Sequence, residues 1–316
     1  MQARAIAVIG GAGFIGSHLV DKLIEMGHKV SVVDDLSSGK KENVNKAAHF
    51  HYMKAESEAL KNILVHDSIK TVFFLAANSN VPLSIREPLF DFESLNCAIN
   101  VIEKCRYCNV EKFIFTSSGF IYGNTVNRPI KEDEPFKPIS PYAISKKAIE
   151  HYLAFYREVY GLSYTVLRLA TVYGPRQVSG ALADYIRKLA VGKQAEFFGD
   201  GSKTRDYIFI DDVVEALLAS MSITDIPEPV FNIGSGKEVE LRTVYQKVAE
   251  LLGRKAEPII QPDRPGELYG YSLSSKRANR VLGWQPRTCL DEGLRRILIR
   301  KGLLSDQGGV PKRSLV

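Results

Sequence analysis

Residues 5–19 read AIAVIGGAGFIGSHL, and this stretch decides the fold. Five apolar residues without polar alternation are the mark of a strand buried on both faces, as in a parallel sheet. Glycines follow at 10, 13 and 16, and an amphipathic helical pattern, FIGSHLVDKLIEMGH, opens at Phe14. In a strand–turn–helix of this kind Gly10 permits the tight turn, Gly13 lets the backbone approach a pyrophosphate, and Gly16 allows the helix to pack close to the strand. The amides of Phe14 and Ile15 then stand at a positive helix N-terminus suited to phosphate. A second apolar run, 29–33, leads into Asp34, 24 residues past Gly10. A carboxylate there accepts hydrogen bonds from an adenosine ribose diol and repels a 2′-phosphate, which points to NAD over NADP. The competing reading of Asp34 is a turn-initiating residue of DDLSSG, and the same turn places Asp35, Ser37, Ser38 and Gly39 beside the cofactor.

Outward from this unit the pattern repeats. Further strand candidates fall at 50–54, 71–75, 112–116 and 164–169, separated by helical stretches such as PYAISKKAIEHYLAFYREVY. Strands alternating with helices of that length imply βαβ units and an α/β, doubly wound parallel sheet. After Gly174-Pro175 the texture changes to single helices, Gly/Asp turns and short strands, with VFNIGSG returning to the sheet. The expected organisation is a cofactor-binding domain over 1–172, joined by 206–234, and a smaller α/β substrate domain over 173–316 with a flexible tail from about 305.

Length and composition fit this picture. A chain of 316 residues, 45% hydrophobic and 25% charged, suits a soluble protein of about two domains. The start of the chain lacks a signal pattern, and no apolar run is long enough for a membrane span, so a cytoplasmic protein with no membrane partner is expected. The net charge of +6 arises wholly beyond Lys276, where ten Lys/Arg face three Asp/Glu. Those residues belong to an amphipathic helix and a polar tail, which argues for a solvated face and against nucleic acid. Cys105 and Cys108 have CxxC spacing but lie in a helical pattern with no second pair, so no metal is expected.

Two further stretches carry chemistry. KFIFTSSGFIYG, 112–123, runs a buried strand into Thr116, Ser117 and Ser118. SPYAISK, 140–146, offers Ser140 as a helix N-cap, Pro141 at the first helical position, and Tyr142 and Lys146 one turn apart on one face. A phenol ordinarily titrates near 10, and an ammonium one turn away favours its phenolate, so Tyr142 is expected to serve as a base near neutral pH.

Together the glycine turn, Asp34, SSGFIYG and SPYAISK resemble the extended short-chain dehydrogenase/reductase family, specifically its nucleotide-sugar epimerases and dehydratases. The resemblance runs to about residue 300 through FLAANSNVPLSIREP, LRLATVYGPRQ, GDGSKTRDYIFIDDVVEA, VFNIGSGKEVEL, RPGE and VLGWQPRTCLDEGL. It implies a Rossmann fold, bound NAD and a triad of Ser118, Tyr142 and Lys146. It also implies cofactor contacts from Leu75, Ala76, Ala77, Asn96, Thr116 and Leu169. A nucleotide-sugar, UDP-hexose in the leading reading, would meet Ser84, Thr171 and the arginines Arg205 and Arg264, with Tyr271 beside the sugar's C2 substituent. For Arg205 an ion pair with Asp206 is the plainer reading. A homodimer through the helices of the cofactor domain is implied as well. The chain departs from the family pattern at Ile9, Phe74, Ala55-Glu56 and Thr171. The most informative departure follows Ser118: dehydratases carry Asp and Glu there, and here stand Gly119 and Phe120, neither able to transfer a proton. C4 epimerisation of the UDP-glucose/UDP-galactose type is the expected activity. A reductase or another epimerase acting on a dTDP-, GDP- or CDP-sugar, and a non-catalytic NAD-binding relative that binds RNA or a partner, are the alternatives.

Overall fold

The computed structural model describes residues 3–77, 80–223, 226–255 and 257–305. The tail expected to be flexible beyond about 305 lies outside them.

Seven strands form one parallel sheet: β1 (Ala5–Ile9), β2 (Lys29–Asp34), β3 (His49–Tyr52), β4 (Thr71–Phe74), β5 (Lys112–Ser118), β6 (Ser163–Leu169) and, after a long excursion, β11 (Val230–Ile233). Their order is β11-β6-β5-β4-β1-β2-β3. The strand order reverses between β1 and β4, and in open α/β sheets ligands bind in the crevice that this reversal opens at the strands' carboxyl ends. Successive β1 side chains serve opposite faces. Ile6 and Val8 join Leu19, Val20, Phe73 and Ile114 on one side. Ala7 and Ile9 join Val72, Phe113, Phe115, Ile149 and Leu153 on the other.

Helices cover both faces. α1 (Phe14–Glu25) packs with α7 (Ile210–Ser220) on the first, and the twenty-residue helices α4 (Pro88–Tyr107) and α5 (Pro141–Tyr160) pair on the second. Shorter helices α2 (Ala59–His66) and α3 (Val81–Arg86) precede α4. α5 begins and ends where its sequence dictates. The Ser140 hydroxyl accepts the Ala143 amide, Pro141 occupies the first turn, and Gly161 closes the helix in the left-handed conformation at φ 72°.

The excursion between β6 and β11 carries β7 (Thr171–Tyr173), α6 (Ala181–Ala190), β8 (Glu196–Phe198), β9 (Thr204–Arg205) and β10 (Tyr207–Phe209). Past β11 come β12 (Val239–Glu240), α8 (Leu241–Leu251), β13 (Ile259–Gln261), α9 (Lys276–Leu282) and α10 (Leu290–Arg300). Three two-stranded pairs, β10-β7, β12-β9 and β13-β8, tie this region together. Tyr185, Phe197 and Tyr245 meet at ring-centre distances of 5.3–5.5 Å to join α6, β8 and α8. Among the described residues no helix is long and apolar enough to cross a membrane.

Strand β5 runs two residues beyond its expected end, so Ser117 and Ser118 belong to the sheet itself, in register with Arg168 and Leu169 of β6.

Candidate active site

The glycine turn occupies the crevice between β1 and β4. Gly10 has φ +84°, and a Cβ there would sit 2.7 Å from the Ala76 amide nitrogen, so the residue must be glycine on both counts. A Cβ on Gly16 would fall 2.2 Å from the Gly10 carbonyl oxygen, which shows how closely α1 lies on the turn. Gly13 is the N-cap of α1 and brings no side chain to cap it, leaving the first-turn amides of Phe14 and Ile15 open to an anion. Asp34 is buried, its Oδ2 accepting the Ala12 amide (2.9 Å) and its Oδ1 the Leu36 amide (2.8 Å). Burial raises its pKa while both amides act against that rise. The carboxylate is thus held rigidly, with lone pairs to spare for a diol. The following turn folds back over the glycines: the Lys40 amide donates to the Ala12 carbonyl (3.0 Å), Asn43 Nδ2 donates to the same oxygen (3.2 Å), and Gly39 lies against Asp34. Asp35 accepts the Ser37 amide, and Ser37 and Ser38 stay exposed. This arrangement fits an NAD pyrophosphate and adenosine ribose.

The chemistry sits one strand further along. Ser118, Tyr142 and Lys146 converge where β5 meets α5. The Ser118 hydroxyl accepts the Phe120 amide (3.2 Å) and stands near enough to the Tyr142 phenol to favour its ionised form. Lys146 is buried, donates to the Thr116 carbonyl (2.8 Å) and lies 5.9 Å from the centre of the Tyr142 ring. A small cavity beside them is lined by Ala76, Ala77, Asp91, Ser94, Ser145 and Ile149. The expectation of a phenolate near neutral pH is corrected here. Burial pushes Tyr142 up to about 12; the Ser118 hydroxyl opposes this and the Asp91 carboxylate adds to it. Burial likewise brings Lys146 down to about 8, against the pull of Asp91 and Glu150. Desolvation outweighs the one-turn charge effect that the sequence suggests.

Other assigned residues divide. Thr116 contributes its carbonyl, and Leu169 is buried at the end of β6. Leu75 follows β4, half-buried at the crevice. Thr171 Oγ1 and the Tyr271 hydroxyl share a hydrogen bond of 2.9 Å. Tyr271 is itself buried against Phe120, edge to face, with ring centres 5.6 Å apart. Gly119 makes room for this: a Cβ on it would lie 2.9 Å from Tyr271 Cε2 and 3.1 Å from Leu273 Cδ1. Arg205 donates to the carbonyls of Thr204 and Leu268 and lies 5.9 Å from the Phe120 ring centre. The ion pair with Asp206, the competing reading of Arg205, is not formed. Asp206 is fully buried and accepts from the amides of Ser235, Gly236 and Leu273 and from the Ser235 hydroxyl. Arg264 lies over the Phe198 ring and faces Glu267 at 3.8 Å.

Two further assigned residues lie on α3 and α4. Ser84 is fully buried, and its hydroxyl accepts the Tyr142 amide at 2.7 Å, which ties α3 to the start of α5. Asn96 is exposed on α4, accepting from Asn100 one turn on. The α4 residues that line the cavity are Asp91 and Ser94, three residues apart. Asp91 is buried, and its Oδ2 has no hydrogen-bond partner. The i, i+3 spacing of Asp91 and Ser94 was readable in the sequence, but nothing there fixed the helix's rotation.

Comparison with known proteins places this geometry. The sequence model of the NAD dependent epimerase/dehydratase family matches residues 6–234. The chain is 40% identical over 299 residues to the UDP-glucose 4-epimerase of Mycolicibacterium smegmatis, covering 91% of this chain and 95% of that one. It superposes on the crystal structure of UDP-glucose 4-epimerase with UDP-glucose from Thermotoga maritima at a TM-score of 0.90 and 42% identity, over 95% and 99% of the two chains. It also superposes on UDP-N-acetylglucosamine 4-epimerase from Methanobrevibacter ruminantium in complex with UDP-N-acetylmuramic acid, at a TM-score of 0.88 and 32% identity, over 94% and 98%.

Proposed function

From the premise that this chain belongs to the NAD-dependent epimerase/dehydratase family, we propose that it interconverts UDP-glucose and UDP-galactose by inverting C4 through a 4-keto sugar. At the coarser level it is an NAD-dependent UDP-sugar 4-epimerase. Bound NAD would supply the hydride acceptor and donor for C4 and, in its oxidised form, a positive charge beside the site.

The chain's own residues would do the rest. Gly10, Gly13 and the Phe14 and Ile15 amides hold the pyrophosphate, and Asp34 holds the adenosine ribose. Tyr142 receives the proton of the C4 hydroxyl and gives it back once the hydride has returned, so no proton is gained or lost. Ser118 hydrogen-bonds the reacting oxygen. A phenol held near 12 is a poor base, so nearby positive charge, from Lys146 and from the oxidised cofactor, is what makes it competent.

The observation that carries the reading is the convergence of Ser118, Tyr142 and Lys146 at the end of β5, with Gly119 and Phe120 beside them. Reversible oxidation has its acid–base group, whereas water elimination has none at these positions. Buried Tyr271, held by Thr171 and Phe120, supports plain hexoses over N-acetylated ones. The test is incubation with UDP-galactose and no added cofactor or reductant. UDP-glucose should accumulate to equilibrium, and failure to convert any UDP-hexose would overturn the proposal.

The protein is further proposed to act as a homodimer. Leu89 and Phe92 of α4 and Ile144, Phe155 and Val159 of α5 are large apolar side chains left exposed on two paired helices. A patch of that kind favours a second copy of itself.

A further inference from the structure

Below the Ser118–Tyr142 couple lies a buried polar network that the reaction as written does not use. Glu150 stands on α5 four residues past Lys146, on the same helix face. Its Oε1 accepts the Ser117 hydroxyl at 2.6 Å and Arg168 Nε at 3.1 Å, and its Oε2 accepts Arg168 Nη2 at 2.8 Å. Glu150, Arg168 and Ser117 are all at least 96% buried. Ser117 and Arg168 are direct neighbours across the β5–β6 pairing, so one carboxylate takes hold of both strand ends. Lys147 Nζ approaches Oε2 at 3.2 Å from the same helix. Arg168 Nη1 continues to the Tyr122 hydroxyl (2.6 Å) and the Glu132 carbonyl (3.0 Å), and Tyr122 donates to Asn232 of β11 (2.8 Å).

We propose that Glu150 is a positioning residue whose carboxylate, gripping Ser117 on β5 and Arg168 on β6, locks the end of β5 against α5 and so sets the reach of Ser118 to Tyr142. Ser118 is the next residue after Ser117, so any slip of the strand end at the clamp is passed to it within one peptide. A bidentate arginine pair is the geometry that holds angle as well as distance. Burial favours a neutral Glu150, yet the hydrogen bonds and charge of Arg168, with Ser117 and Lys147, keep its carboxyl below the ordinary range. The clamp is therefore ionised and rigid at neutral pH. Epimerisation needs this because the same oxygen must meet Tyr142 and Ser118 in both half-reactions.

This inference rests on the functional reading above, and its test separates the two. Ser117→Ala removes one arm of the clamp and leaves the Glu150–Arg168 pair intact, so the fold survives. For a displacement of a fraction of an ångström to about 1 Å, kcat on the UDP-sugar should fall roughly 10- to 100-fold, with KM and NAD retention unchanged. Ser117→Thr, which keeps the hydroxyl, should restore most of the loss. Crystal structures of wild type and Ser117→Ala give a second readout independent of turnover, the Ser118 Oγ to Tyr142 Oη separation, which should lengthen in the variant. Wild-type kcat in Ser117→Ala, or an unchanged separation, overturns the clamp. Wild-type protein inert on every UDP-sugar removes the functional reading, and the clamp is then judged on the separation alone.

Discussion

Lys146→Met should make the protein more stable and inactive at once. Lys146 is only 6% exposed. Burial brings its ordinary value of 10.5 down to about 8. At about 1.36 kcal/mol per pH unit, holding the ammonium inside the fold at pH 7 costs roughly 3 kcal/mol. Methionine fills a similar volume without charge, but it forfeits the hydrogen bond to the Thr116 carbonyl, worth about 1 kcal/mol. The variant should therefore be about 2 kcal/mol more stable than wild type near neutral pH. The sign with pH follows from linkage. The folded pKa lies below the unfolded one, so the unfolded chain binds more protons between pH 8 and 10.5, and wild type gains stability as pH rises through that window. Urea denaturation of both proteins at several pH values reads this directly, as a gap that is full below pH 8 and closes towards pH 10.5. A gap that does not change with pH, or a wild type that is the more stable at pH 7, would refute the reasoning. Activity should be lost throughout, a stability–function trade of the kind expected where a site holds a strained charge.

Other expectations follow from the same geometry. Tyr142→Phe removes the hydroxyl placed to exchange a proton beside Ser118, and kcat should fall by about 10²- to 10⁴-fold with NAD binding unchanged, read by coupled assay and cofactor titration. In Asp34→Asn one of the two amide-held oxygens becomes a donor, so NAD affinity should drop about 10- to 100-fold and the preference over NADP should shrink, measured by calorimetry with both. Phe155→Glu buries a charge in the proposed dimer face and should give monomers by light scattering, while a variant that stays dimeric would send the interface elsewhere. For wild type, kcat/KM should fall as pH rises through about 8, where free-enzyme Lys146 loses its charge; Lys146→Arg should carry residual activity beyond that limit.

How much of this was legible in the chain depended on whether a feature is local. The glycine turn, Asp34 and α5 with its cap were readable because each is fixed by residues within one or two turns. Ser118 and Tyr142 were readable as a pair because sheet order brings the end of β5 to α5. That Asp91 and Ser94 line the cavity was not readable, because a helix rotates about 100° per residue and nothing local fixes which side of α4 turns inward. The bond from the Tyr142 amide to the Ser84 hydroxyl, across 58 residues of sequence, was equally out of reach. The direction of the Tyr142 shift was missed because desolvation depends on everything packed around a side chain. The Glu150–Arg168–Ser117 clamp was not legible, because it needs both the register of β5 on β6 and the packing of α5 over the strand ends.

The contact between Gly119, Tyr271 and Leu273 bears on history. The dehydratases that this chain resembles carry an acid at the position of Gly119, but here a first side-chain carbon would lie 2.9 Å from Tyr271 Cε2 and force that ring to shift. The obstruction comes from two buried residues some 150 positions downstream, one of them hydrogen-bonded to Thr171. A single replacement at 119 would push Tyr271 off its partners before it brought any new chemistry. An acid at 119 is therefore coupled to the placement of Tyr271 and Leu273: it is accommodated where those side chains have moved or shrunk. A change towards elimination in this chain thus carries with it a loosened sugar pocket and a broader acceptance of sugars.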